Sequence, residues 1–235
     1  MLTIGALLPF TSSLLSFLFA GAIFKRYLSR TGHHHLLVWG LGTVFYGIGG
    51  ASEAFTATFG FTPLVLKVWY LFGAILVAAW LGQGTVFLLA RARWVRLTTI
   101  LLLAASLFAV FAVATAQVDP NYQATGELTG KAFATGWVRM LTPFFNIYGT
   151  VTLVGGALYS SWLFWRKRVL PNRMIGNILI ATGAIFPAFG GVLSRFGLPG
   201  LYVSEFIGVV LMFIGFLQAT ATVVQFARPA ATAGD

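Results

Sequence analysis

Apolar residues in this chain come in long unbroken runs. They show neither the short alternation of a half-buried strand nor the single stripe of a soluble helix. Seven runs stand out: Ile4–Phe24, Leu36–Thr58, Leu64–Ala90, Leu97–Gln117, Leu141–Phe164, Ile175–Phe196 and Val203–Ala227. Each has about the 20 residues that a helix needs to cross the hydrocarbon core of a bilayer. An open strand edge in lipid would leave peptide groups unpaired, so every run predicts a helix. The expected fold is all-α: a polytopic membrane protein whose seven transmembrane helices form one bundle, a single transmembrane domain over residues 1–235. Val118–Met140 is the one long connection. Asp119-Pro120-Asn121 opens it as a turn. Leu128, Ala132, Phe133, Trp137 and Met140 then recur near helical spacing. Two forms stay open for this stretch, a short interfacial helix over the bundle or a solvated loop.

Composition strengthens this picture. Of 235 residues, 58% are hydrophobic and only 9% are charged, against roughly a quarter charged in a soluble domain. The formal charge of +10 would point to nucleic acid in a soluble protein. Here no separate basic domain exists to grip it, so nucleic acid is not an expected partner. The lipid bilayer is, with basic loops facing anionic headgroups. Cysteine is absent, which excludes disulfides, thiolate metal sites and cysteine nucleophiles.

The basic residues also predict orientation. Lys25, Arg26, Arg30, Arg91, Arg93, Arg96, Arg166, Lys167, Arg168, Arg173 and Arg228 fall on one side of the seven spans. Lys67, Lys131, Arg139 and Arg195 fall on the other. Eleven against four places the first side in the cytoplasm, with the N-terminus outside and the C-terminus cytoplasmic. Trp39, Trp94, Trp162 and Trp165 flank the cytoplasmic ends, and Trp69 and Trp137 the outer ends. The first run has no Lys or Arg before Lys25, so it reads as an uncleaved helix rather than a signal peptide. A multi-pass protein of a bacterial-type cytoplasmic membrane is expected.

A weak internal echo suggests a candidate repeat. Phe45-Tyr-Gly-Ile-Gly-Gly-Ala-Ser-Glu-Ala-Phe55 shares its end phenylalanines and its glycine pair with Phe186-Pro-Ala-Phe-Gly-Gly-Val-Leu-Ser-Arg-Phe196. Leu8-Pro-Phe10 parallels Thr142-Pro-Phe144, and Ala90-Arg91 parallels Ala227-Arg228. Helices 1–3 would then correspond to helices 5–7 as a parallel repeat, three plus one plus three. Small residues at Ala74, Ala78 and Gly82, and the pairs Gly49-Gly50 and Gly190-Gly191, read as close-packing stripes. Pro187 should kink the sixth helix.

Candidate chemistry lies toward the outer surface. Glu53, Lys67, Arg195 and Glu205 share one membrane depth. A charge within a span costs at least about 3 kcal/mol, so it is normally paired, turned inward or reached by water. One reading is two loop-stapling ion pairs, Glu53 with Lys67 and Arg195 with Glu205. The other is a polar pocket open to the outside and lined by all four. Glu53 sits about a turn inside its helix, where a proton or cation role would follow if it faced a cavity. Tyr70, Trp80 and Gln83 on helix 3, and Asn146 on helix 5, extend polar and aromatic groups inward. They serve either as helix glue or as the walls of that pocket. The candidate ligand-binding set is therefore Glu53, Lys67, Tyr70, Trp80, Gln83, Asn146, Arg195 and Glu205.

No catalytic residues, metal site or cofactor are expected. The seventh helix has no lysine for a retinal Schiff base, no histidine lies in a span for haem, and His33-His34-His35 has the wrong spacing for a helical metal site. Nucleotide-binding and hydrolase motifs are missing too. The leading expectation is binding or translocation of a small solute or ion through an outward-facing polar pocket. Two alternatives remain: a sensor subunit acting through a separate signalling partner, and a membrane-embedded lipid enzyme using Glu53. Self-association is a further expectation about partners.

Overall fold

The computed structural model describes residues 4–29, 32–122, 127–196 and 200–221; the side chains of residues 4, 5, 194 and 195 are not among those described. Within these residues the chain folds into seven long helices. They are α1 (Ile4–Leu28), α2 (His34–Phe59), α3 (Pro63–Leu89), α4 (Ala92–Thr115), α5 (Leu141–Lys167), α6 (Pro171–Arg195) and α7 (Leu201–Thr220). All but α2 are long and apolar enough to cross a membrane, the architecture of a multi-pass helical membrane protein. α2 matches them in length, with 26 residues, but its buried positions are mostly Gly, Ser, Thr and Glu53. These small and polar positions are the ones that face other helices. The expected seventh run continues to Ala227, whereas α7 ends at Thr220 and Ala221 is extended. Residues 222–227, like Arg30 and Arg228, lie outside the described residues.

Short connections make successive helices antiparallel. The end of the bundle where α2 stops and α3 starts is called the upper end below. Six helices close a ring in the order α1, α2, α3, α5, α6, α7, with α7 returning to α1. α4 stands outside this ring and packs chiefly on α3. Its outer face is correspondingly apolar and exposed, with Ile100, Leu101, Leu107 and Phe111 all uncovered. That is the face a peripheral helix would offer to lipid.

Glycines set the close approaches. A Cβ on Gly49 of α2 would lie 2.9 Å from the Gly73 Cα of α3, so neither position has room for a side chain. A Cβ on Gly208 of α7 would lie 2.8 Å from the Gly183 carbonyl oxygen of α6. That carbonyl is the one Pro187 deprives of its helical N–H partner, so the freed oxygen rests against a glycine backbone. The stripe on α3 also packs: Ala78 and Gly82 meet Gly149 of α5.

α3 carries a feature its sequence does not announce. Tyr70–Leu76 winds as a π-helix between two α-helical segments. The Val77 N–H bonds to the Phe72 carbonyl, five residues back. A π turn takes up an extra residue and rotates everything beyond it relative to a regular helix.

Between α4 and α5 the chain forms a cap at the upper end. Its described part has two 3₁₀ turns, Gly130–Ala132 and Gly136–Met140, in place of a continuous surface helix. Asp119 accepts the Asn121 N–H at 2.9 Å, which makes the turn expected there. An antiparallel bridge joins Val118 to Phe133, flanked by Asp119 N–H to Ala132 O at 2.9 Å and Ala134 N–H to Gln117 O at 3.0 Å. Leu128, Ala132, Phe133 and Val138 are buried against Leu66, Tyr70 and Val113. The cap is a packed plug, not a solvated loop.

Candidate functional site

Glu53 is the most deeply buried acid among the described residues, at 1% exposure. Its position follows from the α2–α3 contact. Gly49 and Glu53 are four apart on α2, and Trp69 and Gly73 are four apart on α3, so each pair shares a helix face. The Gly49–Gly73 contact draws the backbones together. One turn above it, the Trp69 indole N–H donates to Glu53 Oε1 at 2.7 Å. The other oxygen, Oε2, is fully buried and receives no hydrogen bond from the described residues. The carboxyl of Glu205, on α7, lies close to that of Glu53. Carboxylates only accept, so two carboxyls can bond only through a proton held between them.

Other groups complete the surroundings. The Tyr46 hydroxyl, seven residues before Glu53 on α2, donates to the Glu205 backbone carbonyl at 2.9 Å. Tyr202, one turn before Glu205, lies in the field of both acids. Glu127 of the cap is a third acid near the pair. Among the described residues there is no group of three or more His, Asp or Glu suited to a metal ion. Glu53 and Glu205 belong to the first and second halves of the chain, so the acid pair and the Tyr46 bond tie α2 to α7.

The eight residues expected from sequence do not gather in one place. Glu53 and Glu205 meet, as just described. Lys67 does not pair with Glu53: its ammonium donates to the Ala114 carbonyl at 2.7 Å, in the last turn of α4, where orphan carbonyls favour a cation. Arg195 ends α6, and its side chain lies outside the described residues. Tyr70 is buried under the cap, accepting from Thr142 at 2.8 Å with its ring 5.0 Å from that of Phe133. Asn146 donates to the Ala74 carbonyl at 3.2 Å, within the π turn. Trp80 donates to Ser106 of α4 at 3.2 Å.

Gln83 forms a second polar centre. It is 1% exposed and fully engaged. Its amide N–H groups donate to Thr98 at 3.1 Å and Thr99 at 2.9 Å on α4, and its carbonyl accepts from Tyr148 of α5. This arrangement joins α3, α4 and α5.

Sequence reasoning missed Trp69, Tyr46, Tyr202 and Glu127. Trp69 read as an interface anchor, although it is only 9% exposed. Tyr46 carried a usable signal, because residues seven apart share a helix face. Nothing local marked Tyr202 or Glu127. No family model matches the chain, and neither a curated protein nor a solved structure matches it significantly.

Proposed function

We propose that this chain spans the cytoplasmic-type membrane seven times, with its upper end outside, and binds or moves a small solute or ion through that outer third. The observation that carries the reading is Glu53: a carboxyl buried at the junction of two halves, with one oxygen lacking a donor among the described residues. An acid at that depth costs several kcal/mol unless neutralised or matched by a bound ion. A residue kept only for packing would be apolar. The distribution of basic residues supports the orientation, since among the described residues the upper end carries four and the opposite end nine. The ring supports the three-plus-one-plus-three repeat. A two-fold axis along the bundle that carries α1, α2, α3 onto α5, α6, α7 reproduces the observed neighbour order and leaves α4 as the linker.

Flux through proteoliposomes tests the reading. Vesicles under imposed proton, sodium or potassium gradients are compared with the native chain and with Glu53→Gln. Native flux of one of these ions, reduced about tenfold or more by Glu53→Gln (a loss of about 1.4 kcal/mol or more), is expected. Flux that ignores the substitution would sink the proposal. Ligand binding without flux would move the reading to a sensor subunit.

A further inference from the structure

We propose that the ion held at this site is a proton, shared between Glu53 and Glu205, and that it acts as a latch closing α2 onto α7 at the upper end. The inference rests on the preceding reading of the acid pair as an ion site, and goes further by naming the ion and what its departure does.

The donor set argues for a proton over a metal cation. Hard cations take six or more oxygen ligands from carboxylates, carbonyls and waters. Here Glu53 Oε1 already accepts the Trp69 indole N–H, a donor that turns its positive end toward the oxygen a cation would need. The Glu205 backbone carbonyl, a second ligand within reach, already accepts the Tyr46 hydroxyl. What remains among the described residues is one buried, undonated oxygen, Glu53 Oε2, with the Glu205 carboxyl close to the same side chain. That gap suits a single proton.

The latch follows from where the two acids sit. With the proton present, one carboxylic acid donates to one carboxylate, and α2 is held to α7. Its release to water leaves two adjacent carboxylates, which repel at close range. Among the described residues, the groups facing the pair do not offset this repulsion. Tyr46 on α2 and Tyr202 on α7 are neutral donors, Trp69 on α3 is not titratable, and Glu127 of the cap is itself acidic. α1 carries its titratable residues, Lys25, Arg26 and Tyr27, at its far end. The Arg195 side chain of α6 lies outside the described residues. Glu205 is only partly buried whereas Glu53 is fully so, so the proton leaves through Glu205.

The absence of cysteine lets a single introduced thiol report opening. Ser52→Cys places a buried thiol beside Glu53, and Thr58→Cys on the exposed end of α2 is the reference. The full chain in proteoliposomes is labelled from outside with a membrane-impermeant maleimide. The ratio of the two labelling rates cancels the intrinsic pH dependence of thiol reactivity. It is expected to rise about tenfold or more as the outer buffer goes from about pH 5 to about pH 9. In Glu53→Gln or Glu205→Gln, whose amide N–H replaces the shared proton, the ratio should stay low at both extremes. A native ratio that does not change with pH overturns the latch. A ratio that changes at constant pH when sodium is replaced by choline overturns the proton. The two proposals fail separately. Glu53-dependent sodium flux with a flat labelling ratio removes the latch and keeps the transport reading. A pH-dependent ratio that both Gln variants abolish, without any flux, keeps the latch and removes transport.

Discussion

Two buried polar centres in this bundle are equally hidden from solvent and differ in how completely they are bonded. Gln83 lies among α3, α4 and α5 with its carbonyl and both amide N–H groups engaged. Glu53 lies between α2 and α7 with one oxygen bonded to Trp69 and the other without a donor. A fully satisfied network fixes helices in one arrangement. A half-satisfied one is costly and persists only where something else benefits. The contrast suits a structural role for the first centre, and the proposed ion chemistry rests on the second.

The largest effect that could break this contrast comes from Gln83→Leu. It removes the interhelical bonds of the satisfied centre, and at roughly 0.6 kcal/mol each they amount to about 2 kcal/mol. Unfolding in detergent, followed by circular dichroism, should show that loss, while any flux per folded molecule stays intact. Glu53→Gln should do the reverse and leave unfolding within about 1 kcal/mol of native. If both variants lose stability alike, the two centres are the same kind of glue.

Gly73→Ala sharpens the geometry. Its new Cβ would lie 3.0 Å from the Gly49 Cα and close to the Trp69 ring, forcing α2 and α3 apart. A cost of about 1–3 kcal/mol is expected. The Trp69 indole should also lose its carboxyl partner, visible as a shift in its N–H resonance. An unchanged indole signal would mean that the glycine contact does not position the acid.

The smallest effect is at the lower end. His35 lies before the expected Leu36–Thr58 span, with its ring 5.5 Å from that of Trp39. Partial burial, with the neighbouring His33 and His34, lowers its pKa from the ordinary 6.5 to about 4. The folded chain thus prefers the neutral ring. The contribution of His35 to stability is full above about pH 6.5 and declines as pH falls toward about 4, because the unfolded chain binds the proton more readily. Nitrogen-15 titration of His35 should show a neutral ring at pH 5.5. His35→Phe should flatten that part of the stability profile. Neither change should reach the acid pair.

Much of the fold was legible because lipid leaves little choice. Long apolar runs must be helices, and six of the seven expected ones are long and apolar enough to span. α2 was legible as a run but is not among the six, and its buried positions are mostly glycines and hydroxyls that meet other helices. Glu53 was legible as the residue to question, for a short acid inside a span needs a reason. Its partners were not. The expected pairing with Lys67 followed chain proximity across one short loop. The folded chain gives Lys67 the end of α4, and gives Glu53 an indole from its own α2–α3 hairpin and a carboxyl from another helix 152 residues away (205 less 53). The inward path expected from Tyr70, Trp80 and Gln83 on α3 divides for a different reason. The π turn at Tyr70–Leu76 shifts the helix phase midway, so residues that share a face at 3.6 per turn no longer do.

The sequence by itself determined which stretches enter lipid-like surroundings and which acids must be accounted for, because transfer energies depend on composition and length alone. Only the tertiary structure decided that Glu53 faces Glu205, that α4 stands outside the ring and that the cap is a plug. Those outcomes depend on which glycines let backbones approach and on where a helix loses its regular phase. Such properties belong to pairs of helices, and no single run encodes them.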